Sequence, residues 1–245
     1  MGNKHLCLAL FFLLFHYNVI AQIVYDFESD IPGNSPQNIL VNGTVTTDDD
    51  PIRGLTMNPL TAPVGTNTIN LDLDLFPAAT DYSVTWKETY TASGRGGFIL
   101  RGQGSNTALN GLKQGYLFQA SPSIGEVRIY ISNSSSYTLI AAKNLSPAGV
   151  NIPRWYRATV KGTALTFEFS EDGVIFTQVI SITNETYNSG GTTQYVIGYG
   201  KPVYGSFVDD IEFVLTPLSP LSDIYDFESD NTGDLPANIT LTNGT

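Results

Sequence analysis

Three groups of carboxylates lie close enough along the chain to act together: Asp72/Asp74, Glu168/Glu171/Asp172 and Asp209/Asp210/Glu212. Asp26 and Glu28 form a fourth pair near the other end. Acids so spaced serve two chemistries. Retaining glycoside hydrolysis needs two carboxyl groups about 5 Å apart across a sugar, and a hard cation such as calcium needs a shell of roughly six to eight oxygens. A second set of residues is planar rather than acidic. Arg101, Gln119, Arg128 and Tyr130 offer guanidinium and amide forks beside an aromatic plate, the donors and acceptors that orient a polar ligand.

Other chemistries are removed by composition. Residues 1–21 hold Lys4, the only cysteine (Cys7) and both histidines (His5, His16). They read as a secretory signal, with a short basic start, an apolar run from Leu6 to Phe15 and Val19-Ile20-Ala21 before Gln22. The remainder, Gln22 to Thr245, has 11 basic and 23 acidic groups, a formal charge of −12, and neither histidine nor cysteine. That leaves no Ser-His-Asp triad, no thiol nucleophile, no His or Cys zinc site and no disulfide. Nucleic acid is excluded as a natural partner, because phosphate binding needs clustered Lys and Arg. No later apolar stretch reaches the roughly 20 residues of a membrane span. Secretion to the cell exterior or surface is the expected destination.

The elements that must position these groups are strands. Ile69, Leu71, Leu73 and Leu75 alternate with Asn70, Asp72 and Asp74; Tyr82, Val84 and Trp86 alternate with Ser83, Thr85 and Lys87; Val127, Ile129 and Ile131 alternate with Arg128 and Tyr130. Further strands are expected at Gly97–Arg101, Tyr116–Ala120, Tyr137–Ala141, Trp155–Lys161, Ala164–Ser170, Val174–Ile180, Gln194–Gly200 and Ser206–Leu215. No window shows a helical period, and 23 Gly with 13 Pro punctuate the turns. The expected fold is all-β, an antiparallel two-sheet β-sandwich. Alternation places Phe98, Leu100, Phe118, Val127 and Ile129 in the core. It puts Arg101, Gln119, Arg128 and Tyr130 on the outer face, while Trp86 faces inward and Trp155, at a strand start, is partly buried.

An internal repeat sets the domain plan. VYDFESDIPGNSPQNILVNGT, Val24 to Thr44, returns as IYDFESDNTGDLPANITLTNGT, Ile224 to Thr245, at an offset of 200. Residues 22–215 are thus expected to form one domain, 216–222 a Pro-containing linker, and 223–245 the start of a second, truncated copy. Neighbouring copies in a longer chain are expected partners.

The runs GGFILRGQG (Gly96–Gly104), GYLFQASPSIGEVRIYI (Gly115–Ile131), WYRATVKGTALTFEFSEDGVIFTQV (Trp155–Val179) and FVDDIEFV (Phe207–Val214) resemble the concanavalin A-like lectin/glucanase jelly roll. They are most similar to the laminin-G-like modules of secreted bacterial carbohydrate-active and adhesive proteins. A galactose-binding-like jelly roll can also open with DFE and close with DD, but the block 96–179 fits the first family better. Either resemblance implies a polysaccharide or glycan ligand, for which Arg101, Gln119, Arg128 and Tyr130 would form a surface suited to hydroxyl-rich or acidic sugars. The resemblance further implies a structural calcium where the first and last strands meet, held by Asp26, Glu28, Asp209 and Asp210. Adjacent Asp209 and Asp210 would face one ion only through a bulge. The Glu-x-Asp-x-Glu signature of the family's glucanases is missing. A secreted, non-catalytic carbohydrate-binding or adhesive module of a larger repeat-containing surface protein is therefore expected, ahead of a hydrolase or lyase domain of the same fold or a structural spacer.

Overall fold

The computed structural model describes residues 22–34, 39–42, 45–47, 55–57, 67–71, 77–90, 95–104, 113–121, 124–133, 136–146, 149, 152–197 and 206–216. The segments expected as signal, as linker beyond Thr216 and as second copy, together with Asp72 and Asp74, lie outside them. Fifteen strands are present among the described residues and no helix. In chain order they are β1 (Gln22–Tyr25), β2 (Ile39–Asn42), β3 (Val45–Thr47), β4 (Leu55–Met57), β5 (Asn67–Leu71), β6 (Tyr82–Tyr90), β7 (Gly96–Gln103) and β8 (Gln114–Ser121). There follow β9 (Glu126–Asn133), β10 (Tyr137–Asn144), β11 (Arg154–Lys161), β12 (Ala164–Ser170), β13 (Thr177–Thr183), β14 (Thr192–Ile197) and β15 (Ser206–Leu215).

They form two antiparallel sheets. The first runs β13-β12-β11-β6-β15-β4-β3, with β1 also pairing β15; the second runs β10-β9-β8-β7-β14-β5-β2. The expected all-β, two-sheet sandwich is therefore what the chain adopts. Period-two alternation explains the core. Tyr82, Val84 and Trp86 of β6, Tyr156, Ala158 and Val160 of β11, and Leu165 and Phe167 of β12 face Phe98, Leu100, Tyr116, Phe118, Val127, Ile129 and Tyr195 of the second sheet. Trp86 is fully buried, its ring 4.9 Å from Phe98 and 5.6 Å from Tyr156. A buried aromatic cluster of this kind contributes both area and ring-pair attraction, about 0.5–1.5 kcal/mol per pair beyond burial.

The Val174–Ile180 expectation needs correction at its start. Asp172 Oδ1 accepts from the Ser170 hydroxyl and from the amides of Val174 and Ile175, at 2.8, 2.9 and 2.9 Å. This Asx-type turn takes Val174 and Ile175 out of the sheet, so β13 begins at Thr177 and both aliphatic side chains stand exposed at the hairpin tip. Gly173 makes the turn at φ +75°, packed beneath the half-buried Trp155 indole.

Candidate functional site

On the second sheet, the strand register brings three of the four expected ligand residues together. Gln119 of β8 lies directly opposite Arg128 of β9, and Tyr130 follows two residues on along the same face. The Arg128 Nη1 donates to Tyr130 Oη at 2.9 Å, and its Nη2 pairs with Glu126 at 2.5 Å. Those hydrogen bonds, to Glu126 first and Tyr130 second, hold the guanidinium above the ordinary arginine pKa. Tyr130 also meets Tyr137 of β10 edge to face, 6.0 Å between centroids.

This face is not a plain solvated exterior. Ile99, Leu117, Tyr130 and Val196 form a second apolar cluster on it, with Tyr137 packed alongside. Polar groups among them are mostly satisfied: Gln194 Oε1 accepts from the Lys113 amide at 2.9 Å, and Ser132 donates to the Lys113 carbonyl at 2.7 Å. There are exceptions. Gln119 Oε1 and Arg128 Nε are buried without a hydrogen-bond partner, Gln119 being only 2% exposed. An unmet acceptor and an unmet donor on directly opposed residues cost about 1–3 kcal/mol each, and such groups call for an explanation in a native fold.

Arg101 departs from the expected face. Simple alternation would set it beside Ile99, but β7 bulges between Leu100 and Gln103 and Arg101 takes φ +52°. The side chain turns into the sandwich end and is completely buried. Its Nε donates to the Thr80 carbonyl (2.7 Å), Nη1 to the Tyr187 carbonyl (2.8 Å) and Nη2 to Asp81 (3.2 Å), while its amide donates to Tyr82 Oη at 2.6 Å. Every arm of the fork is spent internally, so Arg101 is a structural clamp and not part of the outer surface.

The carboxylates expected to hold calcium are arranged differently as well. β1 does pair with β15, Tyr25 opposite Ile211, and β15 does bulge between Asp209 and Glu212, with Asp210 at φ +48°. The bulge turns both aspartates toward one point, where Lys87 Nζ sits 2.5 Å from Asp209 and 3.0 Å from Asp210. Burial alone would depress the Lys87 ammonium, but its bonds to Asp209 and then Asp210 outweigh that and raise it. Burial also pushes the Asp209 carboxyl up despite the lysine. Asp26 and Glu28 do not join them: Asp26 Oδ1 accepts the Glu28 amide in a local turn at 3.2 Å. Among the described residues no three His, Cys, Asp or Glu side chains gather as a metal shell. As arranged, this set fits a lysine and not a divalent cation, because the ammonium already stands where the ion's charge would be.

The remaining acids are likewise committed. Glu168 forms a two-pronged pair with Arg157, 2.6 and 2.9 Å, and the guanidinium stacks 4.2 Å from the Phe176 ring. Sequence reasoning missed Glu88, which alternation places on the core side of β6 after Trp86. It is fully buried and accepts from Trp86 Nε1 (3.1 Å) and from Tyr195 Oη. The signal was available in the 82-84-86-88 spacing, but an acid at an inward position is not expected without knowing its donors.

No family model and no curated protein sequence matches the chain. Solved structures do. A carbohydrate-binding module, CBM66, from Bacillus subtilis superposes with a TM-score of 0.54 at 14% identity over 71% of this chain and 94% of that one. The VIP36 exoplasmic/lumenal domain, in its form bound to Ca2+ and Man3GlcNAc, gives 0.56 at 11% identity over 79% and 90%. The GH43 BlXynB protein from Bacillus licheniformis gives 0.51 at 13% identity over 79% and 39%. The two sheets, their strand order and these superpositions show that the chain adopts the concanavalin A-like, legume-lectin-like jelly-roll fold.

Proposed function

We propose that this chain is a secreted, non-catalytic carbohydrate-binding or adhesive module, with its glycan seated on the outer face of the second sheet around Gln119, Arg128 and Tyr130. One observation carries the reading: the partly exposed Arg128 guanidinium stands between its cross-strand partner Gln119 and Tyr130, with Tyr137 edge to face beside Tyr130. A guanidinium with N–H groups left over donates to sugar hydroxyls, whereas aromatic edges and planes suit the apolar patches of a sugar ring. The likeness to a carbohydrate-binding module and to a domain bound to Ca2+ and Man3GlcNAc supports the same ligand class. Secretion and membership of a repeat array rest on residues 1–21 and on the second YDFESD segment.

Glycan-array binding by the full-length chain tests the reading. Binding that Arg128→Ala weakens by about tenfold or more, roughly the loss of one well-made charge-assisted contact, is expected. A uniformly blank array would leave the spacer reading in its place.

A further inference from the structure

We infer that the glycan recognised here is neutral, and that the site discriminates against uronic and other anionic sugars. The inference rests on the carbohydrate reading and concerns the same face. An exposed arginine on a sugar-binding surface ordinarily suggests a carboxylate ligand, since the guanidinium fork and a carboxylate match in shape and charge. Here the charge of the guanidinium is already matched inside the protein. Both terminal nitrogens of Arg128 are used inside the protein, Nη2 on the Glu126 carboxylate and Nη1 on Tyr130 Oη.

None of the residues paired across from Arg128, Glu126 and Tyr130 is a cation, and Lys143 of β10 pairs instead with Val127. Arg128 lies between Gln119 of β8 and Ala142 of β10; Glu126 lies between Ser121 and Asn144; Tyr130 lies between Leu117 and Leu139. A carboxylate brought to the N–H groups left on the terminal nitrogens of Arg128 would meet the Glu126 carboxylate already paired there, an acceptor of like charge. A hydroxyl in the same place accepts from the guanidinium and donates to Glu126, with no like-charge contact. The long-range field points the same way, because a chain of net charge −11 repels a polyanion before it docks.

The test compares neutral oligosaccharides with their C6-carboxylate counterparts, such as cellohexaose and mannohexaose against the corresponding glucuronate and mannuronate oligomers, together with an array of neutral and uronate-bearing glycans. The full-length chain is expected to bind neutral members at least about tenfold more tightly than the matched uronates. That affinity should change less than about twofold between roughly 50 and 500 mM NaCl, because no ion pair to the ligand is there to be screened. Glu126→Gln frees the guanidinium and should narrow the gap by about fivefold or more. Uronates bound as tightly as the neutral sugars, with affinity falling steeply in salt, would overturn the inference while leaving the carbohydrate reading intact. Silence toward every glycan would overturn both. The wild-type comparison and its salt dependence decide the question even if the Glu126 variant is unstable.

Discussion

Removing the Arg101 guanidinium should destabilise the fold and spare glycan binding. Arg101 is fully buried and bridges three segments, with bonds of 2.7 Å to Thr80, 2.8 Å to Tyr187 and 3.2 Å to Asp81. Arg101→Ala leaves two carbonyls short of a donor and strips Asp81 of its only buried cation, although Gly162 still donates to Asp81 at 3.0 Å. Breaking one side of a buried charge pair costs about 3–5 kcal/mol; counted instead as two unmet carbonyls at about 1–3 kcal/mol each, the same loss has the same size, so about 4 kcal/mol is expected. With a urea m-value of about 3 kcal/mol/M, the unfolding midpoint should fall by roughly 1.3 M. Tryptophan fluorescence is a suitable probe, since Trp86 is buried in the same core. Arg101→Gly should be about 1 kcal/mol less harmful than Arg101→Ala, because glycine enters φ +52° without the side-chain penalty. A stability loss below about 1 kcal/mol, or lost glycan binding with the midpoint unchanged, would refute the clamp and restore Arg101 to the ligand face.

Three further outcomes are expected. Burial raises Tyr82 to about 12, so it contributes stability that is present below pH 10 and drains away as pH rises through 10 to 12; the midpoint-against-pH slope there should flatten in Tyr82→Phe, which also loses the Arg101 amide bond at neutral pH. Gly173→Ala sets a Cβ 2.9 Å from Trp155 Cε2 at φ +75°, costing roughly 1–2 kcal/mol and shifting Trp155 emission. The hairpin amides hold Asp172 at about 2, so its contribution is present above about pH 4 and lost as pH falls toward 2; the Val174 and Ile175 amide resonances should titrate with that midpoint, and Asp172→Ala should abolish the titration.

What the chain reveals before folding is set by how faithfully its strands keep a period of two. β6, β8, β9, β11 and β12 keep it, and their inward residues, from Tyr82 and Trp86 to Phe118, Ile129, Tyr156 and Phe167, are all in the core that alternation predicts. The same rule places Gln119, Arg128 and Tyr130 on one face, where the register does unite them. Whether that face is wet is another matter. Parity distinguishes two sides of a sheet but not their environments, and the burial of Ile99, Leu117 and Val196 opposite the main core depends on what packs over the sheet.

Both misplaced groups have a single physical origin. Arg101 and Asp210 each occupy the left-handed region, at φ +52° and +48°, within a bulge that breaks the register of an otherwise regular strand. One extra residue reverses parity locally, so Arg101 turns inward and Asp210 swings to the side of Asp209. Glycine at Gly102 is a weak hint of the first bulge; no glycine adjoins Asp210, where an L-residue tolerates the strained backbone because Lys87 binds both carboxylates. The strain is repaid by a tertiary partner, an ammonium 122 residues away from Asp209 in sequence. Local propensity is blind to such a partner. For that reason the four expected calcium ligands are not gathered together: a bulge that brings two carboxylates to one point is legible as a cation site, but the group that occupies it depends on the neighbouring strand, which here supplies Lys87.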